Sequence, residues 1–225
     1  ESIREICDFI CRIDVLCNKA YISCNYGYVK PEIQSNETSF VDVQGLRHCL
    51  IEHLQTEEIY VTNDTHLGIK NQNGMLLYGT NAVGKTSFIK SIGISIILAQ
   101  SGMYVPCEEF TYYPYNYLFT RILGNDNIFK GLSTFAVEMS ELRTILRMCD
   151  KNSLVLGDEL CSGTESTSAL SIFAAGVEHL HKIQASFIFA THFHEVANYK
   201  EILELEGLRL CHMSVVFDRA KKTLV

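Results

Sequence analysis

Residues 76 to 88 read LLYGTNAVGKTSF: an apolar run, a glycine, four residues, then Gly84-Lys85-Thr86. Gly79 to Thr86 satisfies the spacing G-x-x-x-x-G-K-[ST], in which a glycine-rich turn aims backbone N–H groups at phosphate oxygens. The residues placed to meet phosphate are Gly79, Thr80, Asn81, Ala82, Val83, Gly84, Lys85 and Thr86, with Ser87 next in the following helix. A helix starting there adds partial positive charge and unspent amide donors. The Lys85 ammonium suits the β- and γ-phosphates, and the Thr86 hydroxyl suits Mg²⁺.

Guanine-nucleotide switches and ATP-driven clamps both carry such a loop, so other residues must separate them. The chain's one Asn-Lys pair, Asn18-Lys19, is followed by Ala20 and Tyr21 and precedes the loop, so no N-K-x-D guanine reader is present. Asp158 is followed by Glu159, Leu160 and Cys161, which is not a D-x-x-G switch. The stretch LVLGDEL instead ends an apolar run on two carboxylates. Asp158 is suited to hold Mg²⁺ through its water shell and Glu159 to polarise an attacking water. Further on, FIFATHF brings His192 to the end of another apolar run, where it can sense the γ-phosphate or that water. His194 and Glu195 extend this to an H-x-H-E pattern. With no further ligand cluster beside it, that pattern reads as polar residues at a helix start rather than a metal site.

These groups need a frame that brings loop ends together. From residue 75 the pattern alternates strand, loop and helix: MLLY, the phosphate loop, a helix over 85–100, the strand YLFTRIL, and a helix over 136–149. The strand SLVLGDEL, a helix over 166–183 and the strand ASFIFATH follow, and LRLCHMSVVF with the tail reads as edge strands. Continuous apolar strands alternating with helices predict an α/β domain with a mainly parallel sheet. Ahead of it, residues 20–70 carry short strand-like pieces, AYIS, SFVDV and EIYV, which predict a smaller antiparallel region. Ile3, Ile6, Ile10, Ile13 and Cys17 recur at helical steps, so residues 1–19 are expected to be the end of a helix from a preceding domain, with 20–225 forming the α/β domain.

With 225 residues, 47% of them hydrophobic, the chain can bury a large core. The apolar stretches are too short and interrupted to cross a bilayer, and no membrane partner is expected. A net charge of −7 without a dense basic run makes a poor stand-alone nucleic-acid clamp. Nine cysteines, odd in number and without a C-x-x-C pair, fit ordinary thiols in a reducing intracellular compartment. The chain begins with Glu1 and reads as a piece of a longer protein.

In order, the blocks GTNAVGKTSFIKSIG, LAQSGMYVPCEEF, LFTRILGNDNIFKGLSTFAVEMSEL, SLVLGDELCSGTESTSALSIFAAGVEHL and FIFATHFHEV closely resemble the ATPase domain of the MutS mismatch-recognition family, a branch of the ABC ATPases. The resemblance covers about residues 75 to 200, and DVQGLRHCLIEH resembles the lead-in before it. It implies a P-loop fold, ATP and Mg²⁺ as ligands, and ATP hydrolysis with Glu159, His192 and Lys85 as catalytic groups. It also implies a homodimer in which Ser133, at the start of the STFAVEM helix, completes the partner's site in trans. Gln100 would belong to a loop coupling nucleotide to the rest of the protein. Tyr60 in EEIYVTN would stack on adenine, plain core being the other reading of that ring. Mismatched double-stranded DNA would be bound by other domains of the parent protein.

Departures from the family pattern are also informative. Thr80 stands where Pro is usual, and Val83-Gly84-Lys85-Thr86 where Gly-Gly-Lys-Ser is usual. Cys161-Ser162-Gly163-Thr164-Glu165 replaces a run with Arg at Ser162, which resembles an organellar and giant-virus branch. On that branch the location would be an organelle or viral factory rather than the cytoplasm or nucleoid. A helical dimerisation element is expected beyond the last strands, so this chain should hydrolyse ATP weakly and in a concentration-dependent way. Two other readings stay open: another ABC-type ATPase, or a nucleotide-gated dimerisation module. Leu132-Ser133-Thr134-Phe135 differs from the transporter-type L-S-G-G-Q, and Glu159 speaks for turnover.

Overall fold

The computed structural model describes residues 2–54, 60–79, 83–122, 134–160, 166–191, 196, 199–213, 217–218 and 223–224. In chain order the elements are α1 (Ser2–Tyr26), β1 (Glu32–Ile33), β2 (Phe40–Leu46), α2 (Ile51–Leu54), β3 (Asn63–Leu67), β4 (Gly74–Tyr78), α3 (Lys85–Gln100), β5 (Glu109–Tyr113) and β6 (Tyr117–Arg121). There follow α4 (Thr134–Met148), β7 (Ser153–Asp158), α5 (Ser166–Lys182), β8 (Ser186–Ala190), α6 (Lys200–Leu203), β9 (Leu208–His212), β10 (Phe217–Asp218) and β11 (Thr223–Leu224).

Five strands form an all-parallel sheet in the order β6-β7-β8-β4-β9. Strands β4, β7 and β8 are buried along their whole length. Their side chains alternate between two cores, as the two-residue strand period requires. Met75, Leu77, Leu154, Leu156 and Ile188 face Phe88, Ile89, Ile92 and Ile96 of α3 and residues of a second sheet. Leu76, Val155, Phe187 and Phe189 face Leu142 and Ile145 of α4 and Phe173, Val177 and Leu180 of α5. Helix α3 is thus packed between two sheets, which explains why apolar residues surround it rather than forming a single stripe.

The second sheet runs β1-β5-β2-β3. It is mixed rather than antiparallel, because β1 pairs with β5 in parallel while β2 pairs antiparallel with both β3 and β5. The segment AYIS, expected as a strand, is the last part of α1, which runs to Tyr26 and so past the expected boundary at 19. Local bonds carry the helix on: Asn18 Nδ2 donates to Asp14 O, Ser23 Oγ to Lys19 O and Asn25 Nδ2 to Tyr21 O. Propensity for strand in AYIS yields to this cooperative continuation, which stops only at Gly27. No α1 side chain is buried, and the expected apolar face lies open at Ile3, Ile6, Ile10 and Ile13. Of the expected EIYV strand, Tyr60 and Val61 form no strand, and Glu58 and Ile59 lie outside the described residues. Among the described residues no helix is long and apolar enough to cross a membrane.

Candidate functional site

The carboxyl ends of β7, β8 and β4 stand side by side, since Ala190 pairs in register with both Leu77 and Asp158. The ladder continues one residue past each strand. Glu159 N donates to Ala190 O at 3.0 Å, Thr191 N to Leu77 O at 3.0 Å, and Met213 N to Tyr78 O at 2.8 Å. Residues leaving these strands therefore begin from one cross-linked floor, the edge at which α/β sheets bind ligands.

On β4 the chain turns sharply at Gly79, whose φ is +149°. A Cβ there would lie 2.7 Å from Met213 O and 3.0 Å from Val83 Cγ2, so glycine is required by backbone angle and by space. The turn ends at Gly84, which is left-handed with φ +95° and supplies no side-chain cap to α3. The first helical bond runs from Phe88 N to Gly84 O at 2.9 Å, so the amides of the first turn have no helical acceptor. Lys85 is buried and its Nζ donates to Gly79 O at 2.6 Å. A buried ammonium aimed into this turn suits an anion.

Across the turn, Thr86 Oγ1 donates to Asp158 Oδ2 at 2.5 Å. Asp158 is buried, and Glu159 beside it is half-buried in a left-handed conformation with φ +53°. That turn sends the Glu159 backbone out of line with β7 immediately after the strand ends. Two hard oxygen ligands from different elements, with a second carboxylate adjoining, fit a hydrated Mg²⁺ beside phosphate. Among the described residues no group of three His, Cys, Asp or Glu side chains forms a separate metal cluster.

Other expected site residues fall in different places. Val83 and Ser87 lie at the loop end and in the first turn of α3, both half-buried. Tyr60 is half-buried near His48 and Glu52, and burial with the Glu52 charge raises its hydroxyl pKa above the usual value. His48 is buried, and its Nδ1 accepts from Leu50 N at 3.3 Å and Ile51 N at 3.4 Å. Burial, aided by the Lys90 charge on α3, lowers its pKa and keeps the ring neutral. Gln100 is not brought to the phosphate loop. It ends α3, about 24 Å along a helix of 16 residues, and its amide brackets the backbone of Tyr115, with Nε2 to Tyr115 O at 3.0 Å and Tyr115 N to Oε1 at 2.9 Å. Thr80, Asn81, Ala82, Ser133, His192, His194 and Glu195 lie outside the described residues.

No sequence motif marks Met213. Its carbonyl walls the Gly79 turn, and its Cε lies 4.0 Å from where a Gly84 Cβ would stand. An apolar residue ending a strand was the only signal, and it becomes informative once β9 is known to neighbour β4.

A parallel sheet with a G-x-x-x-x-G-K-T turn opening α3 and an acidic pair on a nearby strand defines a P-loop α/β domain. The family model for MutS domain V matches residues 75–225. A mutS homolog of Acanthamoeba polyphaga mimivirus is 38% identical over 99% of this chain and 23% of its own length. The mitochondrial DNA mismatch repair protein mutS homolog of Sarcophyton glaucum is 40% identical over 96% of this chain and 22% of its own. DNA mismatch repair protein MutS of Alkaliphilus oremlandii is 32% identical over 89% of this chain and 23% of its own. The chain belongs to the MutS family and comprises its domain V. It spans a little under a quarter of these relatives' length, and its identity to the viral and mitochondrial homologues exceeds that to the Alkaliphilus protein.

Proposed function

We propose that this chain binds and hydrolyses ATP, and that it couples this to mismatched DNA bound by other domains of a mismatch-repair protein. The observation that carries the reading is the Thr86–Asp158 bond, which brings the phosphate-loop hydroxyl onto the acidic strand at 2.5 Å.

Lys85 and the first-turn amides of α3, with Thr80, Asn81 and Ala82, hold the phosphates, while Thr86 and Asp158 hold Mg²⁺. The ion, when bound, offsets charge on the β- and γ-phosphates. Glu159 accepts hydrogen bonding from the attacking water and orients it toward the γ-phosphorus, and His192 senses that water or the γ-phosphate. Tyr60 packs on the base. Gln100 acts at a distance, through the α3 end and Tyr115. Ser133 of a second copy completes each site, so the working unit is a homodimer. Higher identity to viral and mitochondrial relatives supports the organellar and giant-virus branch, with an organelle or viral factory as the location.

Initial rates of phosphate release from Mg-ATP across micromolar protein concentrations test this reading. The rate per chain should rise with concentration and vanish in EDTA. A constant rate per chain would remove Ser133 from the site, and no Mg-dependent release at any concentration would overturn the hydrolytic reading.

A further inference from the structure

Helix α1 covers 25 residues without one buried side chain, yet the turns at its C-terminal end carry a concentrated set of contacts to the domain. Lys19 Nζ donates to Gly102 O, just past the C-terminal end of α3, and lies 5.0 Å from the Tyr104 ring centroid. A cation there complements the negative pole of α3, whose other end opens the phosphate loop. At the end of α1, Arg47 Nη2 donates to Tyr26 O at 3.2 Å and Gly27 O at 3.0 Å. Its Nη1 pairs with Glu52 Oε2 at 3.2 Å. Glu52 also meets the Tyr28 hydroxyl and sits close enough to Tyr60 to raise that group's pKa. Gly27 is left-handed at φ +61° with open space around its Cβ position, and Val29 is bonded to Val105 in both directions at 2.9 Å.

Two cations thus seat one helix, and each stands at the far side of a different part of the nucleotide site. Lys19 closes the helix that begins at the phosphates. Arg47, through Glu52, joins the segment that carries Tyr60.

We propose that Lys19 and Arg47 form a two-point clamp that seats α1 on the domain, and that nucleotide tightens the clamp by ordering the two elements on which it rests. This rests on the nucleotide reading above. Releasing either cation frees α1 to swing about Gly27, and by linkage a seated α1 favours bound nucleotide by the same factor that nucleotide favours seating.

Hydrogen–deuterium exchange of residues 19–29 in the full chain, with and without Mg-ATPγS, tests the clamp, with peptides from β4 reporting retention of the fold. Without nucleotide, Lys19→Met and Arg47→Gln should each speed exchange of 19–29 about two- to fivefold, the size expected of one exposed cation contact. Lys19→Arg should stay near wild type. Mg-ATPγS should slow the wild-type segment at least about threefold and leave the double variant unchanged, a modest coupling of the usual size. Variants that exchange like wild type, with β4 still protected, would overturn the clamp. Nucleotide that binds by fluorescence titration but leaves 19–29 unchanged would overturn its coupling to the site. Failure to bind Mg-ATPγS at all would instead overturn the nucleotide reading, and the coupling with it.

Discussion

The Thr86 hydroxyl donates to Asp158 Oδ2 at 2.5 Å, joining the first turn of α3 to the end of β7 across 72 positions of sequence. Both oxygens suit a hard divalent cation, and their closeness means one ion can draw on both elements. Thr86→Val keeps the shape and removes one oxygen. It should weaken Mg-dependent ATP binding about 10- to 100-fold, the range for losing one support of a metal site. Titration of a fluorescent ATP analogue at varied Mg²⁺ checks this, and binding in EDTA should change little.

At Gly79 a side chain meets two obstacles, a φ of +149° and the Met213 carbonyl 2.7 Å from the Cβ position. Gly79→Ala should destabilise the domain by about 1–3 kcal/mol and weaken phosphate binding as the turn shifts away from Met213. Denaturant unfolding and nucleotide titration of the same preparation measure the two effects. Gly102→Ala is a useful control, since it is also left-handed, at φ +75°, but has open space around it.

His48 gives the fold a pH dependence. Its Nδ1 accepts the amides of Leu50 and Ile51, which only a ring with that nitrogen unprotonated can do. Burial lowers its pKa below the ordinary histidine value of 6.5, so the unfolded chain takes up a proton before the folded one does. The stabilisation is therefore complete above that value. It falls as the pH drops through the window down to the lowered folded value and is flat below it. His48→Asn offers a capping oxygen that does not titrate. Unfolding free energies from pH 8 to pH 5 should fall more steeply for wild type than for the variant.

Much of the site was legible because its signals are local. The spacing of Gly79, Gly84, Lys85 and Thr86 fixes a turn and a helix start within one loop, and LVLGDEL marks a buried strand ending on carboxylates. That Asp158 would stand by Thr86 follows from a parallel sheet, whose strands end on one edge. Residues acting through tertiary packing were not legible. Met213 matters only because β9 lies beside β4. The resemblance gives Gln100 a coupling role, but its bonds to Tyr115 depend on the crossing from β5 to β6, which leaves no local pattern. AYIS has strand-forming residues but continues a helix already nucleated upstream. The parallel pairing of β1 with β5 rests on two residues, too few to leave a pattern.

The central claim, that the acidic end of β7 drives hydrolysis rather than only binding, rests on Glu159. Phosphate release and nucleotide affinity measured together for wild type and Glu159→Gln test it most directly. Glutamine keeps the size of the side chain but exchanges one carboxylate oxygen for an amide donor, loses the charge and cannot serve as a base. Phosphate release should fall at least about 100-fold, with Mg-ATP affinity within a few fold of wild type. Undiminished release in the variant would contradict the account.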